Sequence, residues 1–145
     1  MKPVAKFIAE FEGYAKRLPN GNCTTYLDAV GVPTIGYGTT GRNVYLGLEI
    51  THDKAVEFLE EHIIYFENGA LRLSPILSEY PNALLAITSF CYNLGLGAYQ
   101  RSTLRKKINQ GDWIEAKRQI KRWNKAGGRI LRGLVRRREA EAELL

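Results

Sequence analysis

Val4, Phe7, Ile8 and Phe11 fall at i, i+3, i+4 and i+7, a spacing that predicts an amphipathic helix over residues 3–12 with one apolar stripe. Gly13 is a natural stop for it. The pattern then changes character. Between Gly21 and Gly47 glycines punctuate short β-prone runs, and residues 24–27 and 33–37 read as strands joined through Val30-Gly31-Val32, a hairpin or small twisted sheet. Helical spacing returns at Thr51, a good N-cap, with Asp53 at the favourable end of the helix dipole and Ala55, Phe58, Leu59, Ile63 and Phe66 in register. This helix is expected to pass Gly69 and end near Leu73, before Pro75. A strongly apolar helix opens at Pro81 and is expected to be stopped by Gly95 and Gly97. Ser102 caps a helix to Gln110, and Asp112 caps the next, which carries Trp113, Ala116, Ile120 and Trp123. Gly127-Gly128 forms a turn, and a last helix covers residues 133–144.

Helix, small β unit, long helix, helical cluster: that order predicts an α+β fold with the strands segregated near one end. At 145 residues the chain suits one domain, 1–145, folded as a β-containing N-terminal lobe (about 13–50) and a mostly helical C-terminal lobe (about 75–145). The helix over 51–73 connects them, the helix over 1–13 packs at the cleft they form, and such clefts are where substrates usually bind. No apolar run reaches the roughly 20 residues of a membrane span. The N-terminus does not read as a secretory signal. Two cysteines and two histidines argue against a disulfide scaffold and a zinc site, so two free thiols are expected, with Cys91 buried and Cys23 in an exposed loop.

Charge adds one asymmetry. The net charge is +6, and fourteen of the 21 Lys/Arg lie from Arg101 to Arg138 against two acids, Asp112 and Glu115. This distribution suits an anionic polymer or surface as partner, or else simply the solvated faces of helices.

The candidate chemistry lies in the N-terminal third. Glu12 ends the first helix, where the negative end of the dipole favours the protonated carboxyl that a general acid needs. Asp28 sits at the tip of the first strand and Thr34 opens the second. Across a hairpin, a carboxylate and a hydroxyl so placed can share one water, although an Asp before Ala29-Val30-Gly31 also reads as a plain turn former. Two carboxyl groups in unlike environments are the equipment of glycoside hydrolysis.

The letters around these residues carry a resemblance. Glu12-Gly13, Tyr26-Leu27-Asp28-Ala29-Val30-Gly31 and Thr34-Ile35-Gly36-Tyr37-Gly38-Thr39-Thr40 closely resemble the signature of the phage-type lysozymes, glycoside hydrolase family 24. The similarity continues through residues 47–51, 89–97, 102–104 and 122–128, and closes at 133–141, in one order along nearly the whole chain. It implies a lysozyme-like fold and a muramidase that cleaves the β-1,4 bond between N-acetylmuramic acid and N-acetylglucosamine. The family's catalytic triad maps onto Glu12, Asp28 and Thr34. It also implies that Asn93 can bind a sugar N-acetyl group, with a helix C-cap as the alternative, that Tyr37 and Gly38 line the substrate, and that Arg137 can support Glu12. Arg137, within three consecutive arginines, reads more readily as a solvated charge, and Tyr37, Trp113 and Trp123 as core.

No metal or organic cofactor is expected, nor nucleic acid as a partner. Expected instead are a monomer acting on peptidoglycan glycan strands and an anionic outer-membrane or wall surface met by the basic C-terminal helices. Made in the host cytoplasm, such an enzyme would reach the wall once the membrane is permeabilised. Two departures from the family pattern stand out: a longer stretch between Glu12 and Asp28 through Pro19-Asn20-Gly21-Asn22-Cys23, and Thr39 where many relatives have His. Rival readings are a lytic transglycosylase, which needs the acid but no water-activating partner, and a cationic binder of membrane or DNA.

Overall fold

The computed structural model describes all 145 residues. They form two compact units, Met1–Ile63 and Ile64–Leu145. The α+β class is as the sequence predicts: seven α-helices and three two-stranded sheets.

The first unit opens with α1 (Pro3–Glu12), whose buried residues Ala5 and Ile8 lie on its inner face. Gly13 ends it at φ +72°, a conformation other residues enter at a cost, with its N–H closing on the carbonyl of Ala9. Four strands follow: β1 (Cys23–Thr24), β2 (Tyr26–Leu27), β3 (Pro33–Thr34) and β4 (Glu49–Ile50). They are shorter than the runs read from the sequence because residues 23–27 change partner midway. β1 pairs antiparallel with β4, and Thr25 N–H continues onto Leu48, whereas β2 pairs antiparallel with β3. The β4 partnership was not foreseen.

Cys23 is not in an exposed loop: it begins β1 and is fully buried, facing Ile50 in the register. The inserted residues before it form a tight turn, Leu18 N–H bonding to Asn22 and Gly21 N–H to Leu18, with Tyr14 donating its hydroxyl to the Gly21 carbonyl. That turn delivers Cys23 inward, so the apolar thiol joins Ile8, Ile35, Ala55 and Leu59 in the core of this unit. Both cysteines are free, as predicted.

α2 (His52–Leu73) starts where Thr51 accepts the Lys54 N–H and ends before Ser74. It continues through Gly69 because Leu96 packs on that spot. A β-carbon there would meet a Leu96 methyl at 2.4 Å.

In the second unit a 3₁₀ turn (Pro75–Glu79) leads into α3 (Pro81–Leu94), which buries seven residues and ends at Gly95. Gly97 does not stop a helix, contrary to expectation. It lies inside the short α4 (Leu96–Gln100). Ser102 caps α5 (Thr103–Asn109) and Asp112 caps α6 (Trp113–Lys121), each accepting a backbone N–H three residues on. β5 (Lys125–Ala126) and β6 (Arg129–Ile130) make a hairpin whose two linking glycines, at φ +58° and +77°, fit a type I′ turn. α7 (Arg132–Glu143) packs on α3 and α6. Ile87, Phe90, Tyr99, Leu104, Ile108 and Ile120 form the core, with Trp113 and Trp123 packed against it as anticipated. No helix is long and apolar enough to cross a membrane.

Candidate active site

Five of the residues of interest belong to the first unit. Glu12 is the last residue of α1, so its half-buried side chain leaves the helix where the backbone turns away at Gly13. Its carboxyl lies directly against Gly38, at the spot a side chain there would need: a β-carbon on Gly38 would stand 2.7 Å from Glu12 Oε1. Gly38 also has φ +81°. A residue without a side chain is therefore required twice over, for the backbone conformation and for the approach of the acid. The loop carrying it is closed by reciprocal bonds between Ile35 and Thr39, 2.9 Å each.

The β2–β3 hairpin supplies the rest. Its register sets Tyr26 opposite Thr34 and Leu27 opposite Pro33, and Asp28 N–H then bonds to the Val32 carbonyl at 3.0 Å. Asp28 and Thr34 are thus not directly opposed. They are diagonal neighbours across the hairpin, Thr34 directly opposite Tyr26 and Asp28 two positions beyond Tyr26. Asp28 does form the turn: Oδ1 accepts the N–H groups of Val30 and Val32, both at 2.9 Å. That double acceptance fixes the rotamer through one oxygen. Thr34 is 5% exposed and donates its hydroxyl hydrogen to the Val32 carbonyl at 2.9 Å, which commits the proton and leaves the oxygen's lone pairs as acceptors.

Tyr26 was passed over as a functional residue, yet its phenol is pushed above its ordinary range by burial first, then by the charges of Glu12 and Asp28. It lies within the field of both carboxylates at once. Tyr37 is buried, its hydroxyl 2.7 Å from His52 Nε2 and its ring 5.2 Å from that of Tyr14. It braces the loop that carries Gly38. Thr39 is buried as well, and its hydroxyl has no hydrogen-bond partner.

The other two candidates belong to the second unit. Asn93 lies one residue before the end of α3, and its side-chain oxygen accepts from Arg138. Arg137 is not a solvated charge, as the sequence had suggested. It is 4% exposed, donates through Nε to Ser89 Oγ at 3.3 Å and through a terminal nitrogen to the Ser89 carbonyl at 3.2 Å, and lies 3.5 Å from Glu141. Arg138 is fully buried, 3.1 Å from Glu141 and stacked over Phe90 at 5.1 Å. Ser89 Oγ donates to Glu141 at 2.5 Å. Burial pushes the Glu141 carboxyl up, while the two guanidiniums and the Ser89 hydroxyl pull it back down.

A family profile described as Phage lysozyme matches residues 9–141. The chain belongs to the phage lysozyme family. Members of that family are glycoside hydrolases, as the resemblance of the motifs implied. Among its relatives, the endolysin of Bacillus phage B103 is 38% identical over 114 residues, which are 77% of this chain and 42% of that protein. The SAR-endolysin of bacteriophage PS119 is 38% identical over 121 residues, 82% of this chain and 71% of that one. The chain thus spans less than half of the first relative and over two thirds of the second. In structure, an endolysin from Escherichia coli O157:H7 phage FAHEc1 superposes with a TM-score of 0.82 at 28% identity, covering 99% of this chain and 90% of that one.

Proposed function

We propose that this phage lysozyme family member is an endolysin that hydrolyses peptidoglycan as a muramidase, cutting the β-1,4 bond between N-acetylmuramic acid and N-acetylglucosamine. Glu12 is the general acid. It gives its proton to the glycosidic oxygen, the bond to the anomeric carbon breaks, and an oxocarbenium-like centre develops. One water adds to that carbon and gives its proton to Asp28. Thr34 orients the water, because its own hydrogen is committed to Val32 and its oxygen can only accept. The acid's proton is restored as the base's is lost, so side chains and water carry every step. Gly38, which has no side chain, admits the acid to the site.

The observations that carry this reading are Asp28 and Thr34 as diagonal neighbours on the β2–β3 hairpin and Glu12 seated against Gly38. The relatives' names, endolysin and SAR-endolysin, agree with it. The substrate is the glycan strand of the wall, reached by a monomer after the host membrane has been opened. Exposed basic residues of the second unit, Lys106, Lys117, Arg118 and Lys121 among them, favour an anionic wall or membrane surface.

Glu12→Gln tests the reading, since it removes the proton donor with almost no change of shape. Lysis of bacterial walls should fall by about 10²–10⁴-fold with the circular dichroism unchanged. Mass spectrometry of digested sacculi should find reducing muropeptides in the wild-type digest. Full activity in the variant, or anhydromuropeptides from the wild type, would refute the assignment.

A further inference from the structure

We infer that His52 is a positioning residue of this hydrolysis: with Tyr14 and Tyr37 it forms a three-ring clamp on the two backbone segments that meet where Glu12 lies against Gly38. The inference rests on the muramidase reading and adds a residue to it.

The contact to be held joins distant parts of the chain. Glu12 ends α1, and its Oε1 would stand 2.7 Å from a β-carbon added to Gly38. Each of the two segments carries an aromatic beside that contact. Tyr14 follows Glu12 by two residues, and Tyr37 directly precedes Gly38. Their rings pack with centroids 5.2 Å apart. His52 closes the triangle, edge-on to both, 4.9 Å from the Tyr14 ring and 5.8 Å from the Tyr37 ring. Its Nε2 also lies 2.7 Å from the Tyr37 hydroxyl.

His52 can hold the other two because it stands on a long helix. It is the first residue of the 22-residue α2, which Thr51 caps. That helix reaches the Gly38 loop twice on one face, at positions three apart. Fully buried Ala55 packs on Gly36 so closely that a β-carbon added there would lie 2.9 Å from its own, and His52 takes Tyr37. Tyr14 is tied at its other end as well, its hydroxyl donating to the Gly21 carbonyl at 2.9 Å.

Such a clamp has a definite use. A general acid must come within hydrogen-bond reach of the oxygen it protonates, and misplacing it by about 1 Å costs on the order of 100-fold in rate. Glu12 sits at the last position of α1, and helix ends fray. The three rings supply the restraint that a helix end lacks. His52 makes no hydrogen bond to Glu12 or Asp28, so it acts through the two tyrosines and not on the substrate.

His52 is exposed, so replacing it leaves the core of the unit intact. His52→Ala removes the ring and the bond, whereas His52→Gln keeps a group that can donate or accept near the place of Nε2. With wall polymer as substrate, kcat of His52→Ala should fall by about 10-fold while KM stays within about twofold, and His52→Gln should recover part of the loss. Tyr37→Phe should also slow the reaction, and added to His52→Ala it should cost nothing more, because the bond it removes is already gone. Amide exchange reads the loop without any substrate. The Ile35 and Thr39 N–H groups, bonded reciprocally at 2.9 Å, should exchange about 10-fold faster in His52→Ala, with α3 unchanged. A merely stabilising role would lower the melting temperature and leave kcat where it was.

A folded His52→Ala protein with wild-type kcat overturns the inference and leaves the muramidase reading standing. So do unchanged Ile35 and Thr39 exchange rates, or losses that multiply in the double variant. A wild-type chain that releases no reducing ends from the wall overturns the muramidase reading itself, and the role of His52 with it.

Discussion

Gly38 and Glu12 are in such close contact that the glycine's missing side chain is occupied by the carboxyl: an added β-carbon would lie 2.7 Å from Oε1 and 3.5 Å from the carboxyl carbon. The colliding atoms belong to the tip of a flexible side chain, not to backbone, so the fold can yield by moving the acid.

Gly38→Ala is therefore expected to injure the reaction more than the structure. The left-handed backbone should cost about 1–2 kcal/mol of stability. Displacing the acid by about an ångström should cost on the order of 100-fold in kcat. Gly21→Ala is the control, because Gly21 has φ +88° with nothing within 4 Å of its added β-carbon. It should lose comparable stability and keep its rate. Denaturant midpoints and initial lysis rates on the two variants decide it, and equal rate losses would mean that crowding of Glu12 is irrelevant.

Glu141 concentrates the buried electrostatics of the second unit. Two guanidiniums, at 3.1 and 3.5 Å, and the Ser89 hydroxyl converge on it, with Arg138 and Glu141 both fully buried. Glu141→Gln should cost about 3–5 kcal/mol, since it deprives two buried cations of one carboxylate. Arg138→Met leaves the Arg137–Glu141 pair in place and adds apolar volume beside Phe90, so it should cost less. Urea denaturation of the two variants tests the order, and a reversed order would show that the stack over Phe90 outweighs the ion pair.

Much of this was legible in the letters, for identifiable reasons. Ser102 and Asp112 announce helix starts because capping is a local bond between a side chain and an N–H three residues on. Helical periodicity is equally local, so residues 3–12, 52–73 and 81–94 were read nearly to their ends. What escaped depends on partners distant in sequence. Cys23 looked like a loop residue because its strand partner, Ile50, comes 27 positions later. Arg136, Arg137 and Arg138 are identical as letters, and only the seating of α7 decides that the first is exposed and the other two are buried. The direct opposition of Tyr26 and Thr34 was not legible either, because two-residue strands show too little alternation to reveal their register.

Stability should fall above pH 9, and Cys91 gives the sign. Burial, with a smaller contribution from the charge of Glu141, pushes its thiol from the ordinary 9.0 to about 12. Between those values the unfolded chain has released a proton that the native chain still holds. Alkali therefore favours the unfolded state, by about 1.4 kcal/mol per pH unit for this one group. By pH 10.5 the loss from Cys91 is about 2 kcal/mol. The phenols of Tyr14 and Tyr99 are also pushed up, by burial first in both cases, and add losses of the same sign above their ordinary 10.0. Denaturant midpoints at pH 7.5 and 10.5 should therefore differ clearly in the wild type. Cys91→Ala should be less stable than the wild type at pH 7.5, through the cavity it leaves, but lose about 2 kcal/mol less on going to pH 10.5. Parallel pH curves for the two proteins would mean that the buried thiol does not set the alkaline limit.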